Sequence, residues 1–170
     1  MSEIIDDRAR MLERCLDDAG HQVTGTNAFG VSADQRAVTT ASVFLAAATA
    51  IAAVLIGWQP DPATAQAVNL SGWLTAGLFY IATVICLWTA FPRISFVRGN
   101  PPDFWQHHLR QNSSYDAAIE DQIGEYERKL NANIRALAKA ARGFQAAVVL
   151  GTSAPLTGVL VYFFLDLSGR

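Results

Sequence analysis

Residues 37–58, AVTTASVFLAAATAIAAVLIGW, and residues 70–91, LSGWLTAGLFYIATVICLWTAF, decide the fold. Neither carries a charge. As a helix rising ~1.5 Å per residue, each reaches roughly 33 Å, enough to cross the hydrocarbon core of a bilayer. The loop between them holds Pro60, Asp61 and Pro62, and a third apolar stretch runs from Gly143 to Leu165. A soluble domain can hide one such helix, but in 170 residues three leave too little polar surface to cover them. The expected fold class is an all-α membrane protein: three transmembrane helices with cytosolic amphipathic helices. Its expected parts are a cytosolic amphipathic helix and loop (1–31), a transmembrane helical pair (32–91), a cytosolic loop and long helix (92–142) and a third transmembrane helix (143–167).

The net charge of -2 conceals a segregation. Of the 13 Lys and Arg, four precede the first span, none lie between the first and second, eight lie between the second and third, and one follows. The positive-inside rule then places the N-terminus and residues 92–142 in the cytoplasm and the C-terminus outside. The first twenty residues hold Glu3, Asp6, Asp7, Glu13, Asp17 and Asp18 and no apolar core with a cleavage site, so the first span is expected to act as its own insertion signal. Cys15 and Cys86 give neither a disulfide nor a metal spacing.

Outward from the spans, residues 3–19 read as an amphipathic helix with Ile4, Ile5, Leu12, Cys15, Leu16 and Ala19 on one stripe, stopped by Gly20. The stripe docks on the other cytosolic helix or on a partner; six acids against three arginines disfavour an anionic membrane surface. Gly20 to Val31, rich in Gly, Thr and Asn, reads as a loop. Ser32 and Gln35 form a capping box that would start the first spanning helix near Ala33. Small residues four apart, Ala46 with Ala50 and Ala53 with Gly57, let helix backbones approach another span or another copy of the chain, as does Gly158 in the third span. Trp58, Trp73 and Trp88 sit where indoles anchor at the interface.

After the second span, Pro92, Gly99, Pro101 and Pro102 interrupt helix, and Asp103 to Gln111 allows a helical turn or two. A capping signal around Ser113 and Asp116 opens a long helix whose apolar positions, Ile119, Ile123, Tyr126, Leu130, Ile134, Leu137 and Ala141, step by three or four. No proline precedes Pro155, so this helix is expected to run into the third span. There, Gly151, Thr152, Ser153, Thr157 and Gly158 either pack tightly or line a wet path.

Enzyme motifs are absent: no phosphate loop, no nucleophile elbow, no His-Glu-x-x-His. No catalytic residue, cofactor or metal ligand is therefore assigned, and the chain is not expected to be an enzyme. His107 and His108, about 100° apart on a helix, read as solvated rather than metal-binding. The richest stretch is Arg93 to Tyr115. Arg93, Arg98 and Arg110 with Phe96, Phe104, Trp105 and Tyr115 would suit an anionic ligand with a flat base, through guanidinium forks and aromatic faces. The same residues also satisfy topology and interfacial anchoring alone. The candidates for binding such a ligand are Arg93, Arg98, Trp105 and Arg110, with Gly99 and the prolines leaving backbone N–H groups for the anion.

With these residues in view, the chain resembles the transmembrane effectors of the Pycsar antiphage system. The layout of cytosolic helix, close pair of spans, cytosolic helical segment and last span is similar over about Val31 to Leu165. Ala33-Asp34-Gln35-Arg36-Ala37 looks like the family's Ala-Asp-x-Lys-Ala start of the first span, and Ala90-Phe91-Pro92-Arg93 like its hydrophobic-Pro-Arg exit from the second. After Pro92-Arg93 the chain departs from the family's longer segment with a Tyr-Phe-Gly-like piece, having only Phe96-Val97-Arg98-Gly99 nearby. The resemblance implies a membrane effector activated by cyclic UMP or cyclic CMP from a partner pyrimidine cyclase. Such an effector impairs the inner membrane so that the infected cell dies before phage is released. It implies as partners the bilayer, the nucleotide and further copies of the chain, and no nucleic acid. The competing class is a small membrane scaffold with no nucleotide ligand; a membrane-bound enzyme lacks a catalytic constellation.

Overall fold

A computed structural model describes residues 2–58, 62–91, 99–100 and 102–168. The described residues form four helices and no strand: α1, Ser2–Gly57; α2, Pro62–Thr89; α3, Pro102–Arg110; and α4, Tyr115–Ser168. Three of them, α1, α2 and α4, contain windows long and apolar enough to cross a membrane. The chain divides into two compact units, Met1–Ser32 with Arg93–Ala138, and Ala33–Pro92 with Lys139–Arg170. α1 and α4 each contribute to both.

In the second unit the interior is made mainly of small residues around one pair of phenylalanines, and large aliphatic and aromatic side chains face outward. Its core is Ala41, Phe44 and Ala48 of α1, Phe79, Ala82 and Cys86 of α2, and Ala147 and Ala154 of α4, each set stepping by three, four or seven residues. Phe44 and Phe79 meet with ring centroids 5.7 Å apart. Val43, Val54, Ile56, Tyr80, Ile81, Val149, Leu160 and Phe163 all point outward and are exposed. This inverts the arrangement of a water-soluble bundle and suits lipid on the outside.

Hydroxyls in these helices bond to their own backbones, as an apolar surrounding requires: Thr75 donates to the Ser71 carbonyl (2.8 Å), Thr152 to Val148 (2.7 Å) and Thr157 to Ser153 (3.0 Å). Thr83 donates to Phe79 at 2.9 Å and reaches the Ala41 carbonyl across the helix pair at 3.4 Å. α4 passes through Pro155 unbroken. Glycines set the close approaches: a Cβ on Gly151 would strike the Phe44 ring, and one on Gly158 the Thr75 hydroxyl. Ala46, Ala50 and Gly57 lie on the exposed side of α1. Trp58, Trp73 and Trp88 are exposed as well.

The expected loop over Gly20 to Val31 is corrected: α1 runs through Gly20, Gly25 and Gly30 without a break. Nor do Ser32 and Gln35 start a helix there. Glycine costs a helix ~1 kcal/mol relative to alanine, and packing inside the first unit offsets that cost. Val23 is fully buried, and Leu137 lies 3.6 Å from where a Gly30 Cβ would stand. The Asn133 amide of α4 donates to Asn27 Oδ1 at 3.3 Å and reaches Thr26 Oγ1 at 3.5 Å. Thr24 and Thr26 turn their hydroxyls back to the Gly20 and Val23 carbonyls instead of capping a new helix. On the N-terminal stripe, Leu12, Leu16 and Ala19 are half-buried, but Cys15 is exposed.

Candidate functional site

The first unit assembles polar side chains around α3, and local chemistry explains how that helix is held. At its C-terminus Asn112 adopts φ +51°, the left-handed region that asparagine tolerates better than most residues. The Ser113 N–H donates back to the His108 carbonyl (3.1 Å) and the Asn112 N–H to Leu109 (3.3 Å), the paired bonds of a Schellman stop. One residue later Ser114 caps α4, its hydroxyl accepting from the Ala117 N–H at 3.3 Å. The cap is Ser114 rather than Ser113. A stop and a start separated by a single residue fix the turn from α3 into α4.

At the other end Gly99 has φ +100°, a backbone conformation open mainly to glycine. Its N–H donates to the Tyr126 hydroxyl at 2.8 Å, and that hydroxyl also accepts from Gln122 Nε2 at 3.3 Å. Lys129 Nζ donates to the Gly99 carbonyl (3.2 Å) and to Asn100 Oδ1 (3.1 Å), and lies 5.5 Å from the centroid of the Tyr126 ring. Gln122, Tyr126, Lys129 and Asn133 follow Ile119 by steps of three or four, so a polar stripe runs along the buried side of α4.

His108 belongs to this cluster, which corrects its reading as a solvated residue: it is only 8 % exposed, while its neighbour His107 is exposed. Its imidazole packs on Phe104, ring centroids 4.7 Å apart, and its Nε2 faces Asp121 Oδ2 at 3.5 Å. Three buried polar atoms in this neighbourhood, His108 Nδ1, Gln122 Oε1 and Asn100 Nδ2, have no hydrogen-bond partner among the described residues. Buried polar atoms are overwhelmingly paired in folded proteins, so three within one small unit mark a place where polar chemistry is unfinished.

The sequence-based candidates fall differently. Arg93 and Arg98 lie outside the described residues. Trp105 and Arg110 are exposed on α3, five residues and so about 140° apart around the helix, and are not brought together. Trp105 meets Phe104 edge-on at 5.3 Å. Arg110, in the last turn of α3, complements the negative end of the helix dipole. Asn100, His108, Gln122, Tyr126 and Lys129 were not singled out as site residues. The legible signal was polar residues on a stripe otherwise apolar, from Ile119 onward. Among the described residues no group of three or more His, Cys, Asp or Glu is placed to hold a metal.

In the second unit a groove of about 390 Å³ lies over Pro155 and Gly158 of α4, beside Ser71, Gly72 and Thr75 of α2. Its lining is chiefly apolar and it offers no titratable group apart from the Tyr162 phenol.

No curated protein and no solved structure gives a significant match. Residues 26–165, well over half of the chain, match the family model of the Pycsar effector protein domain, PycTM, so the chain belongs to that family and is a membrane effector of antiphage defence.

Proposed function

We propose that this effector is switched by a cyclic pyrimidine nucleotide, cyclic UMP or cyclic CMP, supplied by a partner pyrimidine cyclase, and that the switched form impairs the inner membrane and brings about abortive infection. The observation that carries the reading is the continuity of α4. The helix that bears Gln122, Tyr126 and Lys129 is the helix that supplies the third apolar span. A ligand that binds one arrangement of the first unit better than another therefore acts on a helix whose further length is the third apolar span.

In this reading Arg93 and Arg98 grip the phosphate with paired charge-assisted hydrogen bonds, and Trp105 and Arg110 supply an aromatic face and a further cation. The chain acts as a homo-oligomer, with its N-terminus cytoplasmic and its C-terminus periplasmic, as the 4-0-8-1 distribution of basic residues favours.

The test is dye release from liposomes containing the full chain. Cyclic UMP or cyclic CMP at saturating concentration should release the dye, cyclic AMP should not, and Arg98→Lys should shift the response to higher nucleotide concentration. An equal leak with and without either pyrimidine nucleotide removes the ligand from the mechanism and leaves a membrane scaffold as the better description.

A further inference from the structure

The charges of α4 are sorted along its length. Residues 115–127 hold five acids, Asp116, Glu120, Asp121, Glu125 and Glu127, and no lysine or arginine. Residues 128–142 hold five bases, Arg128, Lys129, Arg135, Lys139 and Arg142, and no acid, and the apolar stretch begins directly after them at Gly143. Topology asks for cations near a span, but it does not ask for the acids to be withdrawn from them. Arg135, Lys139 and Arg142 follow one another by four and three residues, so they share one face of the helix, and all three are exposed. Neither Lys139 nor Arg142 makes an ion pair or hydrogen bond among the described residues.

Contacts within the second unit set the level at which Lys139 and Arg142 stand. A Cβ on Gly143 would strike the Thr89 side chain, so this part of α4 lies against the last residue of α2. The Leu55–Gly72 and Ala41–Thr83 contacts show that α1 and α2 run antiparallel. Five residues back along α1 from Ala41 and five onward along α2 from Thr83, ~8 Å each, bring Arg36 level with Trp88. The cations therefore stand at the end of the unit where Trp88 and Phe91 are exposed. Asp34 is the one carboxylate among the described residues of this end, and it is half-buried, so positive charge is in excess.

We infer that this end of the second unit is a headgroup-binding surface for anionic phospholipid, with Lys139 and Arg142 as its phosphate contacts. The complementarity is that of an amphiphile. A lipid phosphate brings two tails that cover the exposed apolar side chains further along α4, such as Val149, whereas a free phosphate leaves them bare. Trp88 and Phe91 sit where rings border headgroups and tails. Screening confines the surface to the last turns before the span. Lys139 and Arg142 lie ~6 Å and ~1.5 Å along the helix from Gly143, inside a Debye length of ~8 Å at physiological salt, and Arg128 lies ~22 Å away. A cation that close to anionic headgroups is worth roughly fivefold in preference for them. The inference goes beyond nucleotide activation and does not depend on it.

The experiment is native mass spectrometry of the delipidated full chain in detergent, offered equimolar phosphatidylglycerol and phosphatidylcholine with identical tails. The wild type should retain phosphatidylglycerol about tenfold over phosphatidylcholine. Lys139→Gln combined with Arg142→Gln should bring the ratio to within about twofold, while the charge-conserving pair Lys139→Arg with Arg142→Lys should keep it. Arg128→Gln, the same loss of charge further from the span, should also keep it. Both lipids are read in one spectrum, so partial loss of fold in a variant does not imitate the result. Inorganic phosphate at the lipid concentration should displace no phosphatidylglycerol. Equal retention of the two lipids by the wild type, or a ratio unchanged in the double glutamine variant, overturns the surface. So does an equal loss in Arg128→Gln, which would reduce the effect to net charge, or displacement by inorganic phosphate, which would give the cations to a soluble anion.

Discussion

Gly151→Ala is the sharpest test of how the spans pack. A Cβ there meets the Phe44 ring on α1, and the ring cannot simply retreat because Phe79 of α2 lies against it at 5.7 Å. Forcing a methyl into such a core costs ~1–3 kcal/mol. The gain in helix propensity from glycine to alanine returns at most ~1 kcal/mol. The fitting control is Gly77→Ala on α2, where nothing lies within 4 Å of the new Cβ and only the propensity term acts. The two variants should therefore differ by ~1–3 kcal/mol, with Gly151→Ala the less stable. The assay is reversible unfolding in mixed micelles of graded denaturing detergent. Trimming the obstacle with Phe44→Leu in the Gly151→Ala background should recover part of the loss, a coupling of ~1 kcal/mol between contacting residues. Equal stability of Gly151→Ala and Gly77→Ala, with no coupling to Phe44, would refute the packing of α1 against α4 through this glycine.

Tyr126→Phe removes the acceptor shared by the Gly99 N–H and Gln122 Nε2. It should destabilise the first unit by ~1–3 kcal/mol, read as faster hydrogen exchange at the Gly99 amide. Asn112→Val places a β-branched residue at φ +51° and should cost ~1–2 kcal/mol of thermal stability, whereas Asn112→Gly should be close to neutral. Ala50→Ile enlarges the exposed side of α1 and leaves the protomer's own core untouched. It should reduce crosslinked species in membranes, and a wild-type chain that crosslinks only as a monomer there would remove self-association from the mechanism.

The spans were legible because hydrophobicity over 22 residues is a property no tertiary contact needs to supply, and so was the run of α4 into the third span, where no proline stands before Pro155. The segment Gly20 to Val31 was not. Three glycines, two threonines and an asparagine are local loop signals, and what overrides them, Val23 in the interior and Asn133 against Asn27, comes from a residue more than a hundred positions away. His108 is hidden for a related reason: Phe104, four residues earlier on the same helix, shares its face and is a local sign, but Asp121, which its imidazole meets, belongs to α4. The polar stripe of α4 is half visible in the sequence, since Tyr126 falls among the apolar positions of the helix period although its hydroxyl is the junction of the network. The basic-aromatic pattern points to Arg93 and Arg98, whereas the buried polar atoms without a partner among the described residues belong to two side-chain amides and an imidazole, which composition does not flag.

On the proposed reading, the energy that the ligand must supply can be set against what the site offers. Turning an equilibrium from 1:99 to 99:1 takes a differential affinity of roughly 10⁴, about 5.5 kcal/mol. One charge-assisted phosphate contact contributes ~1.5–3 kcal/mol, and stacking of the base ~1–3 kcal/mol. With both Arg93 and Arg98 on the phosphate and the base on an aromatic face, the contacts sum to roughly 4–9 kcal/mol, which reaches the required scale in a single protomer when they form only in the switched arrangement, whereas stacking alone does not. Any self-association that favours the switched form multiplies the effect. Arg98→Lys, which keeps the charge but loses the paired bonds, should thus raise the nucleotide concentration needed for membrane leakage without changing the leak reached at saturation.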